Sequence, residues 1–345
     1  MDFRIHFTAT LPEYLKSKEK ESHPITRIAL AILCIIFPPL YFLDWFKNEL
    51  HLLVGRCLIL KKKGPYTEMG LSYYREAGAI PISLTTPDGA VLDGQYWPSS
   101  TYHRNPKTVI MFNGNGENYE NKIFKWKFTF ENYKAYIPYH NIHDFHDAGH
   151  DLVVFNYRGI ADSTGNVSCR GLKLDAETVY QFVHDYLDVP DEKIVLFGHS
   201  FGGAVATHLA KHHPVKLFNI RSFSSLKSIA RHYATIIGAF ILDWLKWAFD
   251  VVSDWKGVKG QKWIVYHNRD KIIPLKTSLF KAIGDPDAIQ MKDNKDYIDE
   301  FCKSVPLSKR EAFKRALLKQ YKGDDAHNRA LSKEEMAVIL KLIDN

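Results

Sequence analysis

Residues 195–203 read VLFGHSFGG, and this stretch decides the fold class. Its centre is a G-x-S-x-G pentapeptide that follows the apolar run 194–197 and opens a helical pattern rich in small residues, 204–210. A serine on such a sharp strand-to-helix turn has a strained backbone, so the side chains around it must be small, and the glycines of the stretch satisfy that demand. The stretch therefore predicts a buried strand, a tight turn that presents Ser200 as a nucleophile, and a helix.

The rest of the chain alternates between short apolar runs and helical patterns from residue 80 onward. Strands that alternate with helices in this way are typical of a mostly parallel sheet flanked by helices. The first two runs flank Pro87-Asp88-Gly89, whose turn chemistry predicts a hairpin. The predicted strands are 80–86, 90–97, 108–112, 151–157, 193–197 and 261–266, and the clearest predicted helices are 175–187 and 201–212.

The composition of the 345 residues favours a globular protein with a large core, because 46% of them are hydrophobic. The formal net charge of +7 is too small to indicate nucleic-acid binding, so no nucleic acid is expected as a partner. The four cysteines lack CxxC spacing, which argues against a zinc site or a disulfide framework and fits a reducing compartment. They are Cys34, Cys57, Cys169 and Cys302.

The N-terminal part of the chain divides into a polar segment, 1–23, and an apolar segment, 24–66, ahead of the main domain, 67–345. The apolar segment holds two runs, 28–43 and 50–60, each shorter than the roughly 20 residues that a transmembrane helix needs. They predict either an interfacial or re-entrant hairpin that contacts a membrane surface, or helices packed on the main domain. The expected location is therefore membrane-associated or cytoplasmic.

An aromatic-rich insert, about 226–260, lies between the predicted strands 193–197 and 261–266. Its apolar residues recur at helical spacing, which predicts a pair of helices. These helices either pack on the core or form a cap that supplies an apolar pocket for an acyl chain, and the position of the insert favours the cap. The aromatic residues concerned are Tyr233, Phe240, Trp244, Trp247, Phe249 and Trp255.

Two further side chains are needed to activate Ser200, since a serine hydroxyl is a poor nucleophile until a base accepts its proton. Proteins with this serine turn carry the acid and then the histidine at the carboxyl ends of later strands. Asp270 stands just after the run that ends at Tyr266, although a surface salt bridge is the competing interpretation. His327 is the only one of the 16 histidines that follows Asp270, so chain order selects it as the base. No strand is predicted directly before it, only a helical stretch, 308–321.

The oxyanion of a tetrahedral intermediate needs two backbone N–H donors. One is expected from Phe201, the residue after the nucleophile, and the other from the glycine-containing loop 113–118, where Asn115 is the predicted donor. A phosphate-binding loop is the alternative, but the lysine and serine of a P-loop are missing from this stretch.

Residues 80–275 resemble the lipase, esterase and thioesterase branch of the α/β-hydrolase superfamily. The resemblance rests on the serine turn, on YRG at 157–159 with STG at 163–165, and on NGN at 113–115, where the family usually reads HGN. Asn113 thus replaces a histidine, which changes the hydrogen bonding of the loop but not its backbone donor. The N-terminal apolar segment is similar to that of hydrolase-like effectors secreted by intracellular bacterial pathogens.

The resemblance implies an α/β-hydrolase fold, with a helical cap insert and an N-terminal apolar helical segment. It also implies hydrolysis of a carboxylic ester or thioester with a lipid-like acyl chain, through an acyl-enzyme and without a cofactor. Two alternatives remain, which are a non-catalytic membrane-associated interaction protein on the same fold and an acyltransferase. The leaving group, the acyl-chain length and the oligomeric state are not defined by the sequence.

A group of histidines between residues 140 and 150 is the one remaining candidate for a metal site. His140, His143, His146 and His150 recur with acidic residues among them, so some of them share a helical face. The alternative is that they are solvent-facing histidines at the end of a helix that leads into the next strand. We favour this second interpretation and expect no metal.

Overall fold

The computed structural model describes residues 4–16, 67–123, 125–130, 133–138, 141–303, 305–320 and 326–345. The predicted membrane-contacting segment, 24–66, lies outside these residues, as do Cys34, Cys57 and His140. None of the helices in the described ranges has the length and apolar character needed to cross a membrane. Of the cysteines that the structure describes, Cys169 and Cys302 are both free thiols.

The described residues form a nine-stranded sheet and a separate two-stranded hairpin. The order in the main sheet is β1-β2-β3-β7-β4-β8-β9-β10-β11, and every neighbouring pair is parallel except β2 with β3 and β3 with β7. The strands are β1 Ile5–Thr8, β2 Ile80–Thr85, β3 Val91–Trp97, β4 Thr108–Phe112, β5 Lys125–Phe130, β6 Tyr133–Pro138, β7 Asp151–Phe155, β8 Ile194–His199, β9 Lys216–Ile220, β10 Lys262–Tyr266 and β11 Ile289–Gln290.

Helices cover both faces of the main sheet, which explains why the central strands are apolar without alternation. Every residue of β4, β8 and β9 is buried. One core cluster packs α5 and α6 on one face, and a second packs α2, α4 and α12 on the other. The helices are α1 Glu13–Lys16, α2 Thr67–Glu76, α3 Tyr119–Lys122, α4 Ile142–Asp147, α5 Cys169–Gln181, α6 Phe201–Ala210, α7 Leu226–Trp244, α8 Val251–Gly257, α9 Leu279–Ile283, α10 Asn294–Cys302, α11 Leu307–Gln320 and α12 Lys333–Asp344.

The predicted α/β architecture is confirmed, with six strands in the expected places, but three strands of the main sheet, β1, β9 and the two-residue β11, were not predicted. Strand β1 lies within the segment that the sequence analysis sets apart as polar, and it extends the sheet by pairing Ile5 with Ile82 of β2. Strand β9 carries Lys216 and Asn219, which interrupt its apolar run. The Lys216 ammonium donates to the last turn of α12, and the Asn219 side-chain NH₂ donates to α6.

The insert at 226–260 forms α7 and α8, and its aromatic residues divide into a buried group and an exposed group. Trp247, Phe249 and Trp255 are buried and form part of the main core. Tyr233 and Phe240 of α7 are instead 58% and 67% exposed. The helical spacing alone could not distinguish these two groups, because an apolar stripe is compatible with packing inward or with facing outward.

Candidate active site

Ser200 lies on the tight turn between β8 and α6, as the pentapeptide predicts. Its φ of 54° and ψ of −117° place a non-glycine residue in strained backbone. The turn also brings backbones close together, since a Cβ at Gly202 would lie 2.3 Å from the carbonyl oxygen of Phe112 and one at Gly198 would lie 2.5 Å from that of Gly202. The glycines are therefore required by contact between backbones, and the turn projects the Ser200 hydroxyl from the carboxyl end of β8.

The imidazole of His327 bridges Ser200 and Asp270. Its Nε2 lies 2.9 Å from the Ser200 Oγ, and its Nδ1 lies 2.7 Å from Oδ2 of Asp270. The second carboxylate oxygen of Asp270 accepts the backbone N–H groups of Ile272, at 2.9 Å, and Ile273, at 2.7 Å. The carboxylate therefore accepts the Nδ1 proton and leaves the Nε2 lone pair to accept the serine proton.

The electrostatic setting keeps Asp270 ionised. Burial raises the pKa of this carboxyl group, but the hydrogen bond and charge of His327 outweigh burial, with help from the Ile273 N–H and the Arg221 guanidinium. The net effect is a pKa below the ordinary value for aspartate. At neutral pH Asp270 is thus able to orient the imidazole and to stabilise the imidazolium that forms when Ser200 loses its proton.

The base loop, residues 326–330, carries His327 without a strand directly before it in the part of the chain that the structure describes. Helices α10 and α11 lie between the short strand β11 and this loop. Side-chain hydrogen bonds hold the loop instead. The Arg221 guanidinium, at the end of β9, donates to the carbonyl oxygens of Ala326 and Arg329. Arg221 was not identified from the sequence.

A second buried arginine fixes the far end of the base loop to α12. The guanidinium of Arg329 pairs with both carboxylate oxygens of Glu335, each at 2.8 Å, and also donates to the carbonyl oxygen of Lys292. Glu335 in turn accepts the backbone N–H of Ser332 at 2.7 Å and forms a capping box with it. Because both terminal nitrogens of the Arg329 guanidinium bond to groups on either side, the start of α12 and the base loop form one unit.

Replacing Arg329 by alanine is expected to lower the free energy of unfolding by about 3–5 kcal/mol, because the change leaves the buried Glu335 carboxylate without its partner. Burial raises the pKa of Glu335, but Arg329 and the backbone N–H donors lower it by a larger amount, so the net pKa lies below the ordinary value. The stabilisation is therefore present above about pH 4.3 and is lost as the pH falls through the depressed pKa. Urea denaturation at neutral and acid pH measures both effects.

The control for this experiment is the exposed Lys333, at the start of the same helix, whose replacement by alanine should change the free energy of unfolding by less than about 0.5 kcal/mol. A loss within 1 kcal/mol in the Arg329→Ala protein at neutral pH would contradict the role given to the buried pair.

The two predicted oxyanion donors lie in different environments. Phe201 is buried and begins α6, so its N–H belongs to the first turn of a helix, where backbone donors have no partner within the helix. Asn115 is exposed in the loop after β4. The side chain of Asn113, which stands where the family usually has histidine, donates to the carbonyl oxygen of Phe155 at 2.6 Å and anchors the start of that loop. The oxyanion role of both amides stays a prediction.

The histidines between 140 and 150 do not all face solvent. His146 stacks on Trp97 with ring centroids 3.9 Å apart, and its Nε2 lies 3.2 Å from the carbonyl oxygen of Pro98. His143 is half-buried beside the carbonyl oxygen of Ile123. The prediction was wrong for His150, which is fully buried, because the turn into β7 places it under the chain rather than at the surface.

His150 instead meets His103 and Asp344, whose donor atoms lie close enough together to suggest a metal site. The Nε2 atoms of His103 and His150 are 3.2 and 3.7 Å from Oδ1 of Asp344. However, the Nδ1 atoms of both rings accept backbone N–H groups, those of Asn105 and Lys107. Where Nδ1 accepts a hydrogen bond, the ring carries a proton on Nε2. His103 therefore presents N–H, not a lone pair, to Asp344, whereas the buried Nε2 of His150, at 3.7 Å, makes no hydrogen bond in the part of the chain that the structure describes. The arrangement fits a fastening for the end of α12 better than a metal site.

Comparisons with known proteins agree with this architecture. A family model described as alpha/beta hydrolase fold matches residues 107–269. Among curated relatives, the uncharacterized protein Rv2307c of Mycobacterium tuberculosis (strain ATCC 25618 / H37Rv) is 29% identical over 176 residues, which cover 47% of this chain and 57% of that protein. Protein bem46 of Schizosaccharomyces pombe is 26% identical over 152 residues, which cover 43% and 46%. The chain thus spans about half the length of the curated relatives it matches.

A solved structure supports the same conclusion over more of the chain. The α/β hydrolase from Vibrio vulnificus superposes with a TM-score of 0.52 at 21% identity, covering 81% of this chain and 90% of that chain. At that identity the likeness concerns the fold alone. The chain therefore has the α/β-hydrolase fold.

Proposed function

We propose that this protein is a serine hydrolase that cleaves a carboxylic ester or thioester through an acyl-enzyme. The observation that carries the proposal is the position of the His327 ring, with Nε2 2.9 Å from the Ser200 Oγ and Nδ1 2.7 Å from Asp270. All three side chains are buried, and Ser200 is strained. A scaffold protein would need neither the strained turn nor a buried histidine aligned with it.

The proposed reaction proceeds in two halves. The Ser200 Oγ attacks the acyl carbon while His327 Nε2 accepts the hydroxyl proton, and the N–H groups of Phe201 and Asn115 bind the oxygen that becomes negative. His327 then gives that proton to the leaving alcohol or thiol, which departs and leaves the acyl group on Ser200. A water molecule loses a proton to His327 and attacks the acyl carbon of the acyl-enzyme. His327 then returns that proton to the Ser200 Oγ as the carbon–oxygen bond to Ser200 breaks, which releases the acid and restores the free enzyme. Asp270 keeps the ring oriented throughout.

The surface beside the site supports an apolar acyl group. The hydroxyl oxygen of Tyr233, on α7, lies 3.0 and 2.9 Å from the carbonyl oxygens of Lys271 and Ile272, between which its single hydrogen is shared, and this places the helix against the loop that carries Asp270. One face of α7 exposes large apolar side chains beside that loop. Its most exposed members are Ile236, Ile237 and Phe240, at 78%, 69% and 67% exposed. Apolar side chains so exposed are suited to contact with a lipid-like chain.

A panel of p-nitrophenyl esters and acyl-coenzyme A thioesters of increasing chain length tests the proposal. We expect turnover of at least one class, with kcat/KM higher for medium or long acyl chains than for acetyl. Phe240→Ser should lower kcat/KM for a long chain by at least about fivefold and leave that for acetyl unchanged, since apolar area contributes about 0.8 kcal/mol for each buried CH₂.

The matched control is Leu307, which is 81% exposed at the start of α11, and whose replacement by serine should leave both values unchanged. No turnover of any ester or thioester by folded protein would contradict the proposal. Turnover that requires an added alcohol or amine acceptor would instead favour an acyltransferase, and equal loss in the Phe240 and Leu307 variants would contradict the acyl-chain role of α7.

A further inference from the structure

The side chain of His199, directly before the nucleophile, connects two loops of the site across Ser200. Its ring is buried, with Nε2 2.8 Å from the carbonyl oxygen of His327 and Nδ1 3.0 Å from Oε1 of Glu117. His199 thus contacts the backbone of the residue proposed as the base, on the base loop, and a carboxylate in the loop 113–118 at the same time. None of the proposed catalytic steps uses either His199 or Glu117.

Glu117 continues the connection into the loop of the predicted oxyanion donor. Its second oxygen, Oε2, accepts the backbone N–H of Gly114 at 2.5 Å and the ammonium of Lys122 at 2.9 Å. The side chain of Lys122 is 2% exposed and that of Glu117 is 10% exposed, so this charge pair is shielded from solvent. A Cβ at Gly114 would lie 3.0 Å from the Glu117 carboxylate, so glycine leaves room for this close approach.

The hydrogen bonds of His199 fix where its protons must be. A carbonyl oxygen only accepts, so the Nε2 that faces the His327 carbonyl must carry a hydrogen. Nδ1 faces a carboxylate oxygen, so a second hydrogen must lie between Nδ1 and Oε1 of Glu117, on one atom or the other. With this hydrogen in place, both bonds of the ring are made and its position between the two loops is fixed.

We infer that Glu117 and His199 form a clasp that positions His327 relative to Ser200 and also fixes the position of the loop 113–118, which carries the predicted oxyanion donor. The inference rests on the proposed function. Such support matters at this place, because no strand directly precedes His327 in the described part of the chain, so the position of the base loop depends on side-chain contacts. Arg221 holds that loop from β9, and His199 holds it from the end of β8. Glu117 and His199 are thus positioning residues.

The decisive variants are Glu117→Ala and Glu117→Gln. Alanine breaks the clasp, and kcat should fall about 10- to 100-fold with KM changed less than threefold, because a small misplacement of the base can cost that much. Glutamine can keep the three bonds described above, since its carbonyl oxygen accepts from Gly114 and Lys122 and its NH₂ donates to Nδ1 of His199. Its kcat should stay within threefold of the wild-type value.

The matched control is Asp254, which makes a similar pair with His208, at 2.9 Å, on α6 and α8 away from the triad. Asp254→Ala should lower the melting temperature and leave kcat unchanged. If Glu117→Ala does not fold, His199→Phe takes its place, with the same loss of kcat expected. When both variants fold, the double variant should be no worse than either single one.

Hydrogen exchange separates this inference from the proposed function, because it requires no activity. In the Glu117→Ala protein, amide exchange in the base loop should accelerate at least about tenfold, while exchange in α6 stays as in the wild type; Asp254→Ala should leave the base loop unchanged. Unchanged exchange in the base loop, or equal losses of kcat in the alanine and glutamine variants, would overturn the clasp. If the wild-type protein hydrolyses no ester or thioester but the Glu117→Ala protein still shows the faster exchange, the clasp stands as a structural feature and the proposed hydrolase activity is rejected.

Discussion

Replacing Ser200 by alanine is expected to lower kcat by about four to six orders of magnitude while leaving the fold intact. The change removes the oxygen that lies 2.9 Å from His327 Nε2 but keeps the Cβ, so the strained turn retains its backbone and its glycine contacts. The melting temperature should therefore shift by only a few degrees. The measurement is kcat on the best ester or thioester of the panel, with circular dichroism to verify folding.

The control for this substitution is Ser72→Ala, since Ser72 is an exposed serine on α2 that bonds only to the side chain of Glu76 among the contacts that the structure describes. It should leave kcat unchanged. Activity of the Ser200→Ala protein within tenfold of the wild-type value would show that the reaction does not pass through this hydroxyl.

The second large effect is expected at Asp270, whose replacement by asparagine should lower kcat about 10⁴-fold. Oδ1 of Asp270 accepts two backbone N–H groups, so the carbonyl oxygen of an asparagine must occupy that position and its NH₂ must face His327. The NH₂ then donates to Nδ1, and the imidazole proton moves to Nε2. In that tautomer the ring has no lone pair to accept the proton of Ser200.

Replacing His327 by alanine should be nearly as damaging as Ser200→Ala, and the double variant should be little worse than either, because the three residues act as one unit. Steady-state kinetics on the same substrate, with correction for any contaminating esterase, measures all three proteins. A His327→Ala protein with close to wild-type activity would place the general base elsewhere and would contradict the proposed triad.

The sequence predicted the α/β architecture and the residues that meet around Ser200 for two physical reasons. The serine turn has a strict local requirement for small residues, so it is visible in nine positions of sequence. The acid and the base follow from chain order, which left one candidate histidine. The structure brings Asp270 and His327 together with Ser200, although 57 residues separate the first two.

The groups that hold the site in place were not predicted, because their partners are distant in sequence and their residue types are common at protein surfaces. Arg221 contacts the base loop 105 residues later, and Glu117 contacts His199 across 82 residues. Nothing local distinguishes such an arginine or glutamate from a solvated one. One signal was available for His199, since its place inside the pentapeptide guaranteed that it would lie beside the nucleophile.

The outward face of α7 escaped the sequence analysis for a related reason. Helical spacing through Tyr233 and Phe240 established an apolar stripe but not what the stripe contacts. The aromatic residues that follow, Trp247 and Phe249, are buried in the core, whereas the stripe on α7 is exposed. Helical spacing therefore indicated an apolar insert but did not distinguish the residues that pack on the core from those that face outward.

Labelling with a fluorophosphonate is the most direct test that Ser200 is an activated nucleophile, because the probe reacts covalently with a serine hydroxyl whose proton is taken by a neighbouring base. Folded wild-type protein should be labelled stoichiometrically, with the adduct mapped by mass spectrometry to the peptide that contains Ser200, and the Ser200→Ala and His327→Ala proteins should not react. Either of two results would contradict the proposed triad. The folded wild-type protein remains unlabelled at Ser200, or the two variants are labelled as strongly as the wild type.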